Sequence, residues 1–376
     1  MQIAAPKFDE AEIDMVRKCL ASGWVTQGPM VQQFEQLIGA RHASRFALAT
    51  TSCSAALHLA TMALELQPGD EVIVPAFTWV TSAHCAEYVG AKAVFADIDL
   101  DTFNLDPAAA EAAITPRTKA IVVVHLFGKA APMRALLAIA KRHGLKVIED
   151  AACAIGTSYE GQPVGAMGDI GCFSFHPRKV ITTGEGGLVT TNDAKLAERV
   201  RWLRNHGATG PAFGVDASKP YTMSTFEVLG YNLRLSDIQA AVGMAQFAKL
   251  DGLLAERRRL ALLYSSTLAE QDEWVLPQDD AGHTYQSYVI RLRSGERVRR
   301  NAVMEHLAAH DIQTRPGTHA AHRLGYYSKK YRIQAQDFPK ACVAEDSSIT
   351  LPIFPGMSDA QVMLVAKQVA AGLQTA

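Results

Sequence analysis

The sequence predicts an α/β protein in which a mostly parallel central sheet is flanked by helices and followed by a smaller C-terminal α+β domain. Short apolar, β-branched runs alternate with longer segments of helical periodicity, and hairpin signals are few. Such an alternation is typical of a parallel sheet that is covered by helices on both faces. The 376 residues, 48% hydrophobic and 20% charged, have the balance of a folded protein that can build large cores.

The elements of the predicted sheet lie in the first 250 residues. Four apolar runs are typical of buried strands: 71–74, 93–95, 120–124 and 146–148. Three segments repeat apolar residues at helical spacing: 54–66, 131–143 and 192–204. Gly-Asp at 69–70 and Gly-Leu at 144–145 mark returns from helix to strand.

The pattern changes near residue 250. A long, charge-rich helix is predicted over 249–268, and its three arginines at 257–259 are expected to form a solvated face. Four further elements are predicted: a strand at 288–292, a helix at 298–310, a loop rich in Gly, His and Tyr at 316–327, and a last helix from Ser358. We therefore assign 1–250 to a large domain and 251–376 to a small one.

Composition argues against several classes of protein. Lys and Arg number 37 and Asp and Glu 38, so the net charge of -1 disfavours a general electrostatic grip on nucleic acid. No window approaches the roughly 18 uninterrupted apolar residues of a membrane span, and the N-terminal segment lacks the features of a secretory signal. The six cysteines form neither a C-x-x-C pair nor a zinc spacing, which favours reduced thiols in a cytoplasmic protein without a metal site.

Three short motifs carry residues suited to catalysis. Asp150 directly follows an apolar strand and is expected at the ligand-binding edge of the sheet, with a helix N-cap as the alternative. Lys179 lies between an aromatic run and the glycine-rich turn 184–187. A crowded apolar site there would make it a nucleophile, whereas a surface lysine is the alternative. Ser52 and Ser54 open a helix, whose N-terminus suits a phosphate, or they only cap it.

Together these motifs meet the requirements of one cofactor. Pyridoxal 5'-phosphate (PLP) needs a lysine that condenses with its aldehyde, a carboxylate beside its pyridinium nitrogen and a cradle for its phosphate. The sequence therefore predicts PLP.

On these and further motifs the chain resembles the DegT/DnrJ/EryC1/StrS family of PLP-dependent sugar aminotransferases. The matching stretches follow the family's order over roughly residues 20–250: SGWVTQGP at 22–29, 51–59, DEVIVPAFTWV at 70–80, EDAA at 149–152, SFHPRK at 174–179, GEGG at 184–187, GYNLR at 230–234 and QAA at 239–241. The resemblance implies fold type I, the aspartate aminotransferase-like architecture, and a homodimer with active sites at the interface.

By position, the resemblance implies a role for each residue of the cofactor site. Lys179 matches the lysine that binds the cofactor's aldehyde carbon, and Asp150 matches the partner of its pyridine nitrogen. Ser54 and Ser174 match phosphate ligands, with the backbone of Cys53 beside them.

Other matched positions carry alternatives. Trp79 matches the aromatic residue that stacks on the cofactor ring, or it is a core tryptophan. Asn232 matches the residue that the neighbouring subunit contributes to the phosphate, or it is a turn residue. Arg234 in the same motif is a substrate candidate. So are His319 and His322, whose loop aligns only loosely with a His-rich substrate loop, and a structural role for both histidines is the alternative.

Cys153 departs from the family pattern. Many relatives have Gln or His at this position, near the cofactor's ring oxygen, and a thiol is a poor hydrogen-bond partner. Either another group serves that oxygen or Cys153 approaches it weakly, and our interpretation is a small buried thiol. Cys53 likewise stands where glycine is frequent in the family.

The resemblance implies a transaminase that moves an amino group from L-glutamate to a keto-sugar, with a nucleotide-linked 4-keto or 3-keto deoxysugar as the leading substrate class. Deoxyaminosugar, polysaccharide or antibiotic biosynthesis is the expected context, without nucleic acid or membrane as a partner. The alternatives are a cyclitol (inosose-type) aminotransferase, a pyridoxamine-dependent dehydratase and a non-enzymatic regulatory or binding protein. The dehydratases have histidine at the position of Lys179, which argues against that alternative. The near-zero net charge argues against a DNA-binding regulator.

Overall fold

A seven-stranded sheet forms the centre of the molecule. The computed structural model describes residues 1–209 and 221–375, apart from the side chain of residue 375. The strand order in this sheet is β1 (Phe46–Thr50), β10 (Gly187–Thr191), β9 (Ile170–Ser174), β6 (Lys146–Asp150), β5 (Thr118–Val124), β2 (Glu71–Pro75) and β4 (Lys92–Ala96). β10 runs antiparallel to both of its neighbours, whereas β9, β6, β5, β2 and β4 pair in parallel.

The strands form where the sequence is continuously apolar. Every residue of β2, β9 and β10 is buried, because helices cover both faces of the sheet. The four predicted strands are confirmed as β2, β4, β5 and β6, each one or two residues longer than expected. The α/β class with a mostly parallel sheet is therefore confirmed.

Helices connect these strands, and several of them begin at a polar capping residue. Asp193 accepts hydrogen bonds from the first turn of the helix that follows β10, and Ser236 forms a capping box at the start of another. The predicted helices at 54–66, 131–143 and 192–204 are confirmed as Cys53–Ala63, Met133–His143 and Ala194–Leu203. The helices of this part are α1 (Glu10–Ser22), α2 (Pro29–Arg41), α3 (Cys53–Ala63), α4 (Thr81–Tyr88), α5 (Pro107–Ala112), α6 (Met133–His143), α7 (Ala194–Leu203) and α8 (Asp237–Ala248).

The C-terminal part builds a second apolar core around a small antiparallel sheet. Tyr264, Tyr288 and Val365 are fully buried in this core. The small sheet has the order β11 (Trp274–Val275), β12 (Tyr288–Leu292) and β14 (Ser348–Leu351). Its helices are α9 (Leu250–Leu268), α10 (Arg297–Ala309), α11 (Gly325–Tyr331), α12 (Pro339–Ser347) and α13 (Asp359–Thr375).

Arg257 does not belong to a solvated helix face, contrary to expectation. It is buried, and its Nη1 donates to the carbonyl oxygens of Gln286 and Ile353 at 3.2 and 3.3 Å. Burial lowers the pKa of Arg257 to about 10. Charge runs alone do not reveal such a contact, because the carbonyl groups come from distant segments.

The segment 316–327 is more ordered than the predicted loop. It contains β13 (His319–Ala320), which pairs with β3 (Phe77–Thr78), a short turn of 3-10 helix at Ala321–Arg323 and the start of α11. Two further short strands, β7 (Ser158–Tyr159) and β8 (Gln162–Pro163), pair with each other. The local composition favours a loop, but the backbone of 77–78 supplies the hydrogen bonds that order the segment.

The C-terminal third also contributes to the large core. Val289, Ala320, Tyr327 and Ala344 pack in the same apolar cluster as α3 and β2. The boundary at residue 250 stays a prediction, although α8 and α9 meet there at Lys249. In the described part of the chain, no helix combines the length and the apolar character that crossing a membrane requires.

Candidate active site

A cavity of about 860 Å³ opens at the carboxyl ends of the parallel strands. It is lined by Val124, Asp150 and Ser174, which are the last residues of β5, β6 and β9. Parallel α/β sheets place their ligands at this edge because the helices that follow the strands point their N-termini there. The volume is in the range of sites that enclose a cofactor or small substrate.

The N-terminus of α3 forms one end of the cavity. The Ser52 side chain accepts a hydrogen bond from the Ala55 N–H at 3.1 Å, and Ser52, Cys53 and Ser54 all line the cavity. The first N–H groups of a helix have no partner within the helix, so this end favours an anion. Burial raises the pKa of the Cys53 thiol well above its usual range, so this group stays neutral.

Gly187 lets the start of α3 approach the sheet. A Cβ atom at this position would collide with the backbone of Ser52 and Cys53. Gly187 also pairs with Ser174 across the β9–β10 ladder, which brings the Ser174 side chain to the same end of the cavity. The predicted phosphate-binding residues therefore lie around one helix N-terminus.

The carboxylate of Asp150 is fixed by a chain of hydroxyl groups. Asp150 is 4% exposed. Ser82 Oγ donates to Asp150 Oδ2 at 2.6 Å, and the Ala152 N–H donates to Oδ1 at 3.1 Å. Thr78 Oγ1 lies 2.9 Å from Ser82 Oγ and must be the donor of that pair, because the Ser82 hydrogen is engaged by Asp150. Ser82 lies 68 residues before Asp150, so the motif around Asp150 does not predict this contact.

Glu149, the residue before Asp150 in β6, forms a buried pair with His125. Glu149 Oε2 lies 3.0 Å from His125 Nε2, and the N–H groups of Gly165 and Gly168 donate to the same carboxylate at 2.7 and 2.6 Å. Burial raises the pKa of Glu149, but the hydrogen bonds from His125 and these amides outweigh it, so the pKa is lowered overall. An ionised Glu149 thus ties β6 to the segment that follows β8.

Lys179 lies against Cys153. Its Nζ is 3.1 Å from Cys153 Sγ, and both side chains are half-buried and line the cavity. Cys153 is thus not the buried thiol that we expected. It lines the cavity from the turn that follows β6, a position that the sequence pattern does not reveal.

Trp79 and His319 lie at the mouth of the cavity. Trp79 is 56% exposed, so it is not a core tryptophan. Its ring centre lies 5.7 Å from that of His319, and the pairing of β3 with β13 holds the two residues side by side.

Three other predicted residues lie outside this cavity lining. His322 is fully buried, and its Nε2 lies 3.0 Å from the carbonyl oxygen of Ala335. We therefore exclude His322 as a substrate contact. Arg234 donates to Asn205 Oδ1 at 2.7 Å and to Asn232 Oδ1 at 3.2 Å, and neither Arg234 nor Asn232 lines the cavity of its own chain.

Four arginines that the sequence motifs do not mark as site residues also line the cavity: Arg178, Arg297, Arg300 and Arg315. Arg178 belongs to the SFHPRK motif and Arg315 to the loop before His319, but neither position carried a pattern that predicts ligand binding. In the described part of the chain, no group of three or more His, Cys, Asp or Glu side chains is arranged to hold a metal ion.

Comparison with known proteins assigns the chain to a family. The sequence profile of the DegT/DnrJ/EryC1/StrS aminotransferase family matches residues 6–370. The chain belongs to this family. The expected family and the expected transaminase class are thereby confirmed.

Relatives of this DegT/DnrJ/EryC1/StrS aminotransferase match it along nearly their whole length. GDP-perosamine synthase of Caulobacter vibrioides is 38% identical over 366 residues, which are 96% of this chain and 95% of that protein. The spore coat polysaccharide biosynthesis protein SpsC of Bacillus subtilis is 38% identical over 361 residues, with 95% and 93% covered. The PMP form of Spr1654 from Streptococcus pneumoniae has a TM-score of 0.94 at 28% identity, with 100% of this chain and 99% of that chain covered.

Proposed function

We propose that this protein is a PLP-dependent aminotransferase that moves an amino group from L-glutamate to the ketone of a nucleotide-linked sugar. The observation that carries the proposal is the meeting of Lys179, Asp150 and the α3 N-terminus in one cavity at the sheet edge. Three distant segments of the chain supply these groups, and each suits a different part of the same cofactor.

The residues of the cavity fit PLP. A helix N-terminus that only Gly187 allows to come this close to the sheet suits the phosphate, with Ser54 and Ser174 beside it. Asp150, nearly buried and held by Ser82, suits a protonated ring nitrogen. When bound, PLP supplies an aldehyde that carries the amino group and a ring that accepts the electron pair of a deprotonated carbon.

The chain's own residues have distinct tasks in this proposal. Lys179 would hold the cofactor, and its Nζ would then move a proton from the α-carbon of the amino acid. Asp150 keeps positive charge at the ring nitrogen, because its carboxylate is fixed and shielded from bulk water. Trp79, which is exposed and lines the mouth of the cavity, would pack on the cofactor ring. The amino acid leaves as a keto acid, and the sugar ketone becomes an amine.

The proposed substrate class draws on the relatives. GDP-perosamine synthase carries a GDP-linked sugar in its name, and SpsC belongs to polysaccharide biosynthesis. A nucleotide-linked keto-sugar is anionic through its diphosphate, and the cavity carries more arginines than carboxylates along its lining. Both observations favour this class over an uncharged cyclitol ketone.

We further propose that the protein is a homodimer in which both subunits contribute to each active site. We also propose that it is cytoplasmic. Asn232 lies beside Tyr231, whose exposed ring contacts His58 together with the exposed ring of Tyr88. Leu229 nearby is also exposed, and such a group of apolar side chains is typical of a subunit interface. All six cysteines are unpaired, which supports a reducing compartment.

The test is a two-stage reaction with the purified protein loaded with PLP. L-glutamate should shift the visible absorption band, and a panel of nucleotide-linked 3-keto and 4-keto sugars should restore it, with an aminated sugar detected by mass spectrometry. L-glutamine and an inosose serve as the alternative donor and acceptor. Amination of the inosose alone, or no change of the band with any amino acid, would contradict the proposed function.

A further inference from the structure

A second cavity adjoins the candidate active site. It has a volume of about 810 Å³ and shares two lining residues, Arg178 and Arg315, with the first cavity. Ile3, Met304 and Ile312 give its wall an apolar character. The two arginines therefore lie at the junction of two spaces of similar size.

These two arginines differ from the other two in the cavity lining. Arg297 is paired with Asp346 at 2.8 Å, and Arg300 donates to the carbonyl oxygens of Glu345 and Ser348 at 3.1 and 2.9 Å. By contrast, among residues 1–209 and 221–375 the guanidinium groups of Arg178 and Arg315 have neither a hydrogen-bond partner nor a carboxylate within 4 Å. Their charges are thus available to a ligand.

The guanidinium of Arg315 is partly buried but lacks hydrogen-bond partners among the described residues. Its Nε is buried and has no hydrogen-bond partner in the described part of the chain. Burial lowers the pKa of Arg315, Cys153 acts in the opposite direction, and the like charge of Arg178 lowers it further. Arg178 is exposed and Arg315 is partly buried, so an anion that binds both relieves their repulsion and supplies a partner for the Arg315 guanidinium.

We propose that Arg178 and Arg315 bind the diphosphate of the nucleotide-linked substrate, with its sugar in the first cavity and its nucleoside in the second. The proposal rests on the proposed function, because it takes the substrate class from there. The planar guanidinium matches phosphate oxygens with two parallel hydrogen bonds. The order of sugar, diphosphate and nucleoside in the ligand matches the order of cavity, arginine pair and cavity in the protein.

The second cavity has the chemistry that a nucleobase requires. Its apolar wall suits the face of a flat ring, and Gln313, Glu305 and Asp311 on its rim offer acceptors and an amide for the ring edge. The carboxylate of the amino donor is another anion that could bind the arginine pair. L-glutamate has no group for the second cavity, so the two sources are separable by experiment.

Binding to the PLP-loaded protein, measured by isothermal titration calorimetry, tests the proposal. The probes are GDP, UDP, dTDP, inorganic pyrophosphate and L-glutamate. We expect at least one nucleoside diphosphate to bind, and each of Arg178→Gln and Arg315→Gln to weaken it about tenfold or more, with pyrophosphate weakened in parallel. Arg142→Gln is the matched control, because Arg142 is exposed and paired with Glu111 on α5.

A substitution in the second cavity separates binding of the nucleoside from binding of the diphosphate. Ala308 lies on α10 and lines only the second cavity, so Ala308→Trp should fill it. We expect this change to weaken the nucleoside diphosphate at least tenfold and to leave pyrophosphate unchanged. Equal binding of the nucleoside diphosphate by wild type and both arginine variants would overturn the proposal. So would arginine variants that weaken only L-glutamate, or the absence of any nucleoside diphosphate binding.

The outcome is independent of the cofactor chemistry. If L-glutamate still shifts the absorption band but the arginine variants bind nucleoside diphosphates as tightly as wild type, this inference fails. The proposed aminotransferase activity then remains. If the band does not shift with any amino acid, the proposed function itself fails.

Discussion

At the scale of single residues, the Asp150 carboxylate depends on neighbours that its own motif does not contain. Ser82 Oγ donates to it at 2.6 Å, and Thr78 donates in turn to Ser82. Both hydroxyl groups are buried, so water does not replace them when they are lost. We therefore regard Ser82 as a positioning residue for Asp150.

Replacement of Ser82 by alanine should lower the affinity of the protein for PLP. A hydrogen bond to a charged group contributes about 1.5–3 kcal/mol, so we expect the dissociation constant for PLP to rise roughly tenfold to a hundredfold. Equilibrium titration of the apoprotein with PLP measures this. Ser266→Ala is the control, because Ser266 is an exposed serine on α9 that bonds only to its own helix. An unchanged affinity in Ser82→Ala would contradict the role of Ser82.

The residues that the sequence predicted best are those in compact motifs at strand ends. Asp150 and Ser174 are the last residues of β6 and β9, and Lys179 lies five residues after β9, so the parallel sheet brings all three to one edge. Arg315 and Ser82 were missed because each reaches the cavity through contacts with segments that are distant in sequence. His322 was a wrong candidate, since a histidine in a polar loop looks the same whether its ring faces a ligand or packs between Phe95 and Phe338.

At the scale of elements, the approach of α3 to β10 shapes the candidate phosphate site. Gly187→Ala places a methyl group against the backbone of Ser52 and Cys53, so the helix must move away from the sheet. We expect the free energy of unfolding to fall by about 1–3 kcal/mol and the affinity for PLP to fall with it.

A glycine in open space provides the matched control for this change. Gly252 lies in α9, and a Cβ atom there would meet nothing within 4 Å. Gly252→Ala should therefore raise the free energy of unfolding by about 0.5–1 kcal/mol, because alanine favours the helix. Urea unfolding measures both variants. A Gly187→Ala protein as stable as Gly252→Ala, with unchanged affinity for PLP, would refute the close approach.

His42 joins the end of α2 to the segment after β6 and makes that junction sensitive to acid. Its Nδ1 donates to the carbonyl oxygen of Val164 at 2.7 Å, and its Nε2 accepts from the Gly156 N–H at 3.3 Å. Burial lowers the pKa of His42 to about 4 from 6.5. Below pH 6.5 the unfolded chain binds the proton first, so stability falls by up to about 3 kcal/mol as the pH drops to the folded pKa.

Removal of His42 should flatten this dependence on pH. The His42→Gln variant should be less stable than wild type at pH 7.5, because the two hydrogen bonds are disturbed. Its loss of stability between pH 7.5 and pH 4.5 should nevertheless be smaller than that of wild type. Urea unfolding at both values measures the difference, with His310→Gln on the surface of the C-terminal part as the control. Equal losses in wild type and His42→Gln would show that another group sets the pH dependence.

The sequence predicts helices and strands whose apolar pattern is strong. It does not predict elements whose structure depends on contacts with distant segments. The apolar runs of β2, β4, β5 and β6 are typical of strands in a sheet that helices cover on both faces, so the sequence alone predicts them. β13 has only two residues, and its order comes from its partner strand β3. Local composition therefore does not predict β13.

At the scale of the whole molecule, the proposed homodimer predicts that the active sites are shared. Lys179 lies in the cavity of its own chain, whereas Asn232 is exposed outside that cavity. In a shared site, Lys179→Ala and Asn232→Ala damage opposite halves of the same centre. A mixed dimer of the two variants then contains one intact site.

Co-expression of the two variants with different tags tests this arrangement. Random pairing should restore about one quarter of the wild-type activity, because half of the dimers are mixed and each of these has one intact site. Each variant alone is the control and should be weakly active or inactive. Purified mixed dimers without recovered activity would contradict a shared site.

The most direct measurement concerns the bond between the cofactor and the chain. The protein is incubated with PLP, reduced with borohydride, digested and mapped by mass spectrometry. We expect one modified peptide, with the cofactor attached to Lys179 in the cavity that Asp150 also lines. Attachment to a different lysine, or no attachment at all, would contradict it.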